Sequence, residues 1–153
     1  FLLENKMSVF GEADFNQQNR YDLNKFRSLL ENNPNIELGF GKIEKINNQL
    51  VSKQPIIIEE SFVNIEGWIR GENKSPVDSI FLMVDNEPLL KYDDFISRVD
   101  VNANNYDISE RDYTWNMIFL SGYIEKGCHE IGIIGLSNET LVKLQEKIEI
   151  CRM

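Results

Sequence analysis

The sequence predicts a mainly β protein, an antiparallel β-sandwich with one short N-terminal helix. Three observations carry that expectation. Many short runs of β-branched and aromatic residues are separated by turn-forming clusters, which is the sequence pattern of a sandwich. Only one stretch has helical spacing. The 153 residues are 42% hydrophobic, enough to bury a core in a chain of one-domain size. The expected organisation is an N-terminal extension with the helix over residues 1–35 and a β-sandwich domain over residues 36–153.

The elements follow in order. The first twenty residues show no clear period. From Asn19 to Asn33 the apolar residues Tyr21, Leu23, Phe26, Leu29 and Leu30 recur at roughly helical spacing. Asn32-Asn33-Pro34 ends that helix, because proline cannot continue it and biases the preceding residue away from helical angles. Ile36 to Phe40 alternates with period two, and Ile43-x-x-Ile46 leads into the turn-prone Asn47-Asn48. Further strands are expected over Pro55–Ile58, Phe62–Ile69, Ser79–Val84, Trp115–Leu120, His129–Leu136 and Thr140–Ile150. Turn clusters at Gly71–Pro76, Asp85–Pro88, Glu125–Gly127 and Ser137–Glu139 divide them. The stretch from Lys91 to Tyr113 is acidic, rich in Asn and Asp, and aperiodic, so a functional loop is expected there.

Charge narrows the function classes. With 25 acidic against 16 basic residues the net charge is −9 and the pI near 4.7. Phosphate binding needs clustered Lys and Arg, so nucleic acid is not an expected partner, and docking on anionic lipid is disfavoured for the same reason. No run of about 18 apolar residues offers a membrane span, and no direct membrane insertion is expected of this stretch. The chain opens on Phe1-Leu2-Leu3 rather than an initiator Met. The expectation is a piece of a longer protein, tethered to the cytoplasmic membrane through a segment outside it; the alternative is that Phe1-Leu2-Leu3 marks an arbitrary boundary and no membrane helix.

A resemblance emerges from several motifs in a fixed order. Gly41-Lys42-Ile43-Glu44-Lys45-Ile46-Asn47-Asn48 is followed by Ile65-Glu66-Gly67-Trp68 and Ile80-Phe81-Leu82-Met83-Val84-Asp85-Asn86. Ser97-Arg98-Val99-Asp100-Val101, Tyr113-Thr114-Trp115 and Ile124-Glu125-Lys126-Gly127-Cys128-His129-Glu130-Ile131 come next. Together they resemble an all-β extracytoplasmic module appended to bacterial membrane proteins, several of them linked to envelope polysaccharide. That module reads G-x-I-D-x-I-N-G, I-x-G-W-A-x-D, V-x-L-V-I-D-G, S-R-P-D-V-A and L-x-x-G-x-H-x-I. The likeness spans Ile36 to Ile150. Val99 stands where the module has proline, Ile69-Arg70 where it has alanine and a variable residue, and Asn86 where it has glycine. The resemblance implies the fold and an extracytoplasmic location, and offers no catalytic residue to carry over.

Candidate site residues can then be weighed. Trp68 is expected in the core, with Gly67 relieving the crowding beside it; the alternative is an exposed platform for stacking sugars. Trp115 follows the acidic loop directly. With Tyr106, Asp100 and Arg98 it forms the expected ligand contact, since rings stack on sugar faces while carboxylates and Arg take hydroxyls. Asp100-Val101-Asn102-Ala103-Asn104 has calcium-loop spacing, but Arg111 stands where the closing carboxylate is needed, so no metal or cofactor is expected. Asp93, Asp94, Asp100, Asp107, Glu110 and Asp112 could supply a glycosidase pair only at a separation of about 5–10 Å across a cleft, and an enzyme is not expected. His129 has no second His or Cys at metal spacing and reads as structural.

Cys128 and Cys151 are a possible disulfide. A hairpin turning at Asn138-Glu139 places Cys128 opposite Glu149, one register step from Cys151. The sequons at Asn73 and Asn138 read as chance matches in an asparagine-rich chain. The functional expectation is a non-catalytic extracytoplasmic binding or assembly module, its partner an envelope glycan or a neighbouring envelope protein. The alternatives are a structural spacer or protein–protein interaction domain of a larger membrane protein, and a glycan-active enzyme fragment.

Overall fold

A computed structural model describes residues 19–33, 35–71, 77–93, 114–137 and 140–153. The chain divides into two units, Phe1–Pro34 and Asn35–Met153. In the first, residues 19–32 form a helix, α1, on which Leu23 and Phe26 are buried. Asn33 closes it: its backbone N–H donates to the Leu30 carbonyl at 3.3 Å and its side-chain amide to the Leu29 carbonyl at 2.8 Å. These bonds satisfy carbonyls that the helix end would otherwise leave open.

The second unit is a β-sandwich, with eleven strands among the described residues. In chain order they are β1 (Glu37–Leu38), β2 (Phe40–Ile46), β3 (Gln49–Leu50), β4 (Ile56–Ile58), β5 (Phe62–Arg70), β6 (Ser79–Val84), β7 (Glu87–Tyr92), β8 (Thr114–Leu120), β9 (Gly127–Ser137), β10 (Thr140–Lys143) and β11 (Ile148–Arg152). The larger sheet runs β1-β10-β9-β11-β4 and adds β6 and β7 beyond β9; the smaller runs β3-β2-β5-β8. Most pairs are antiparallel, but β1 runs parallel to β10 and β4 parallel to β11.

Period-two alternation builds the core between the sheets. From the smaller sheet Ile43, Ile46, Val63, Ile65, Ile69, Trp115, Met117 and Phe119 point inward. They meet Ile80, Leu82, Ile131, Ile133, Ile148 and Ile150 of the larger one in a single cluster. A bulge between Ile43 and Lys45 explains the Ile43-x-x-Ile46 spacing. The extra residue, Glu44, lets two isoleucines three apart face the same way.

The two tryptophans exchange the places expected of them. Val63, Ile65, Gly67 and Ile69 are the buried face of β5, so Trp68 lies on the outward face and is half-buried. Trp115 is the aromatic in the core, with 0% of its surface exposed. Gly67 does relieve crowding, but for Trp115: a Cβ there would lie 2.8 Å from the indole Cζ2. The ring of one strand is accommodated by the missing side chain of its direct partner, since Gly67 and Trp115 are paired in register.

Three other expectations are revised. Ile36–Phe40 is two strands in different sheets, the chain crossing between them at Gly39. Glu87–Tyr92 is a strand, β7, that the proline at position 88 disguised. Pro88 sits at a register shift on a strand that, among the described residues, pairs with β6 alone, a place where a proline is tolerated. Thr140–Ile150 is two strands, both antiparallel to β9, interrupted between Leu144 and Lys147.

That interruption changes the cysteine register. Lys143 pairs with Ile134, but Ile148 pairs with Ile131, so the later strand carries two extra residues. A shift of two keeps every side chain on its face. It also places Ile148 rather than Glu146 opposite Ile131, and Cys151 rather than Glu149 opposite Cys128. Cys128 and Cys151 are joined in a disulfide.

Candidate functional site

The outward face of the smaller sheet is where exposed rings and cations meet. On β2, Phe40 and Lys42 flank Gly41; on β5, Trp68 and Arg70 flank Ile69. The register sets Phe40 opposite Arg70 and Lys42 opposite Trp68. Rings and cations therefore occupy alternate corners of a small square. The Arg70 guanidinium lies 5.4 Å from the Phe40 ring centre and 6.0 Å from that of Trp68, within cation–π range. Phe40 is 51% exposed, so one ring of the square is largely open.

The charge balance of this corner is unlike that of the chain as a whole. Neither Lys42 nor Arg70 has a carboxylate partner among the described residues, and the Arg70 Nε is buried with no hydrogen-bond acceptor. Farther along the face Glu66 lies opposite both Lys45 and Asn116. Beyond them Phe62 pairs with Leu120, and Ile118 stands beside Asn64; Phe62, Ile118 and Leu120 are 44%, 64% and 52% exposed. The face thus grades from aromatic and cationic, through polar, to apolar.

The residues expected to contact a ligand are not this set. Trp115 is sealed in the core and has no surface to offer, so its proposed contact role is withdrawn. Arg98, Asp100 and Tyr106 lie outside the described residues, as do the calcium-like spacing that starts at Asp100, the carboxylates from Asp94 to Asp112, and the sequon asparagines Asn73 and Asn138. Trp68 was legible as an outward-facing ring: Val63, Ile65 and Ile69 already fixed the inward parity of the strand. Phe40 and Arg70 were not, because their pairing depends on the β2–β5 register.

A second polar cluster surrounds the β6–β7 turn. Asp85 and Asn86 both have positive φ, 50° and 66°, as the tight hairpin turn demands. The Asp85 backbone N–H donates to the Glu130 carbonyl at 2.8 Å, and Asp85 Oδ1 accepts the Glu130 N–H at 2.9 Å. Asp85 Oδ2 lies 2.6 Å from His129 Nδ1, and the Glu125 carbonyl lies 2.8 Å from His129 Nε2. An imidazolium donating from both nitrogens fits that arrangement. The Asp85 carboxyl is held below its ordinary range, first by the Glu130 N–H and then by His129. The His129 imidazole is raised, mainly by Asp85, against an opposing effect of burial. Both ring nitrogens of His129 are engaged, and the stretches around Asp85 and His129, far apart in the sequence, meet here in space.

No protein-family model matches the chain, and no curated protein matches it. Among solved structures it is similar in shape to the endo-β-1,4-mannanase from Thermotoga petrophila, at 12% identity and a TM-score of 0.46, over 84% of this chain and 23% of that one. It is also similar to the fibronectin(III)-like modules of Clostridium thermocellum CbhA, at 14% identity and a TM-score of 0.43, over 76% of this chain and 47% of that one. The chain therefore spans less than half the length of either. Among the described residues no helix is long and apolar enough to cross a membrane.

Proposed function

We propose that this β-sandwich is a non-catalytic binding module that takes a glycan on the outward face of the β3-β2-β5-β8 sheet. The observation that carries the reading is the square of Phe40, Lys42, Trp68 and Arg70. Rings held by a sheet can stack on the apolar faces of sugars, and the flanking cations can donate to hydroxyls, all on a rigid platform. The Cys128–Cys151 disulfide supports an extracytoplasmic location, because such bonds persist in oxidising compartments. With the resemblance to modules of bacterial membrane proteins, it makes an envelope polysaccharide the ligand to test first.

The test is a binding screen of the purified chain against bacterial envelope polysaccharides. Saturable binding that Trp68→Ala abolishes, with thermal unfolding unchanged, is the expected result. Equal binding by the variant would rule the face out. A second reading, a spacer or protein-docking domain, is favoured by the exposed Phe62, Ile118 and Leu120 at the far end of the same face. Concentration-dependent association in sedimentation, lost on Ile118→Ser, would support it.

A further inference from the structure

Resting on that reading, we infer that the face selects acidic saccharides, those bearing a carboxylate or phosphate, over neutral ones. A neutral sugar needs the rings; it does not need two cations without counter-charges. In a chain of net charge −9, Lys42 and Arg70 stand on one corner of one sheet, neither with a carboxylate partner among the described residues. Lys42 is exposed and Arg70 half-buried.

The state of Arg70 is the sharper observation. Its Nε is buried with no acceptor among the described residues, and its guanidinium is offered ring faces at 5.4 and 6.0 Å. A partly desolvated cation with no anion among the described residues is a costly arrangement unless something completes it. The planar fork of arginine suits a carboxylate or phosphate, which it can take by two parallel hydrogen bonds. Lys42, two residues from Phe40 along β2 and opposite Trp68, adds a compact charge beside the ring on which a pyranose would lie. Stacking and charge would thus act on one sugar unit: the ring plane on Trp68 or Phe40, the acidic substituent at Arg70 and Lys42.

The experiment compares one backbone with and without its charge. Calorimetric titration of the full chain uses an oligogalacturonate and the same oligomer after carboxyl reduction, at low and at high salt. Saturable binding of the acidic oligomer is expected. The reduced form should bind at least about tenfold more weakly, the loss of one charge-assisted contact. Salt should weaken the acidic oligomer alone. Arg70→Gln should erase the difference between the two, and Lys42→Gln should narrow it even if Arg70→Gln perturbs the sheet. Equal binding of both oligomers, lost together on Trp68→Ala, would overturn acidic selectivity and leave the glycan reading standing. Displacement by inorganic phosphate at matching concentration would also overturn it, since the sugar ring would then contribute nothing. Binding of neither oligomer would overturn the selectivity, and a blank envelope screen beside it would remove the glycan reading as well.

Discussion

The β2–β3 and β6–β7 hairpins end in the same turn and fasten it the same way, yet one turn is fastened through an amide and the other through a carboxylate paired with an imidazole. Asn47 and Asn48 have φ of 49° and 62°; Asp85 and Asn86 have 50° and 66°. In each, the first turn residue reaches past its own hairpin to a third strand. Asn47 N–H donates to the Asn64 carbonyl at 2.8 Å, and its Oδ1 accepts the Asn64 N–H at 2.6 Å. Asp85 makes the matching pair with Glu130. The remaining atom differs. Asn47 Nδ2 donates to Glu60 at 2.8 Å and to the Phe62 carbonyl at 3.0 Å, whereas Asp85 Oδ2 faces His129. One geometry thus serves both sheets, and a single amide-to-acid difference gives one sheet a clip that pairs with a histidine.

The largest effect should come from removing the charged clip. Asp85→Ala loses the Glu130 N–H acceptor and the His129 partner and should cost about 2 kcal/mol, discounted for the exposure of the carboxylate. Asn47→Ala should cost somewhat less, about 1.5 kcal/mol, because its bonds are mostly neutral. Urea unfolding of the two variants side by side measures the difference.

Exchanging the chemistry sharpens the comparison. Asp85→Asn keeps the Glu130 bond and makes the second turn a copy of the first. In the wild-type protein, His129 is raised in the fold, so its contribution is full below the ordinary value of 6.5 and fades as pH climbs through the raised folded value. Asp85 is lowered, so its contribution is full above 3.8 and fades as pH falls through the depressed value. The clip is therefore strongest between those limits. Melting temperatures across pH 3–9 should show that window shrink in Asp85→Asn and in His129→Gln, and leave it intact in Asn47→Ala. The reverse exchange, Asn47→Asp, sets a carboxylate against Glu60, whose own carboxyl is held low chiefly by the Asn47 amide. That variant should lose about 1 kcal/mol at neutral pH and recover part of it in acid.

The smallest effect distinguishes the second turn residues. Glycine adopts positive φ without strain, so Asn48→Gly should raise stability by roughly 0.5 kcal/mol. Asn86→Gly should gain less, since Asn86 Oδ1 accepts from Lys147 at 3.0 Å and that bond would go.

Most of the sandwich was legible because burial imposes a period. Val63, Ile65 and Ile69 declare a half-buried strand, and the Asn47-Asn48 and Asp85-Asn86 pairs declare tight turns. What escaped depended on partners far away in the chain. Pro88 concealed β7 because only sheet position shows that its missing N–H is harmless. Trp68 and Trp115 were weighed by residue type and neighbourhood, when the parity of β5 and the gap left by Gly67 decided between them. The candidate site was the least legible part. Its square forms only once β2 and β5 are aligned, and that register is set by pairing between strands, which a pattern along one strand does not show.

The two-residue insertion before β11 has a further consequence. Two alignments of this strand on β9 satisfy the same facial alternation: one continues the β10 register without interruption, the other advances by two. Hydrophobic patterning separates them only weakly, through the exchange of Glu146 for Ile148 opposite Ile131. The thiols separate them absolutely, because Cys128 meets Glu149 in the first and Cys151 in the second. The disulfide thus fits the alignment advanced by two and not the other. It ratifies the alignment that sets Ile148 against Ile131, and no covalent closure is on offer to the other.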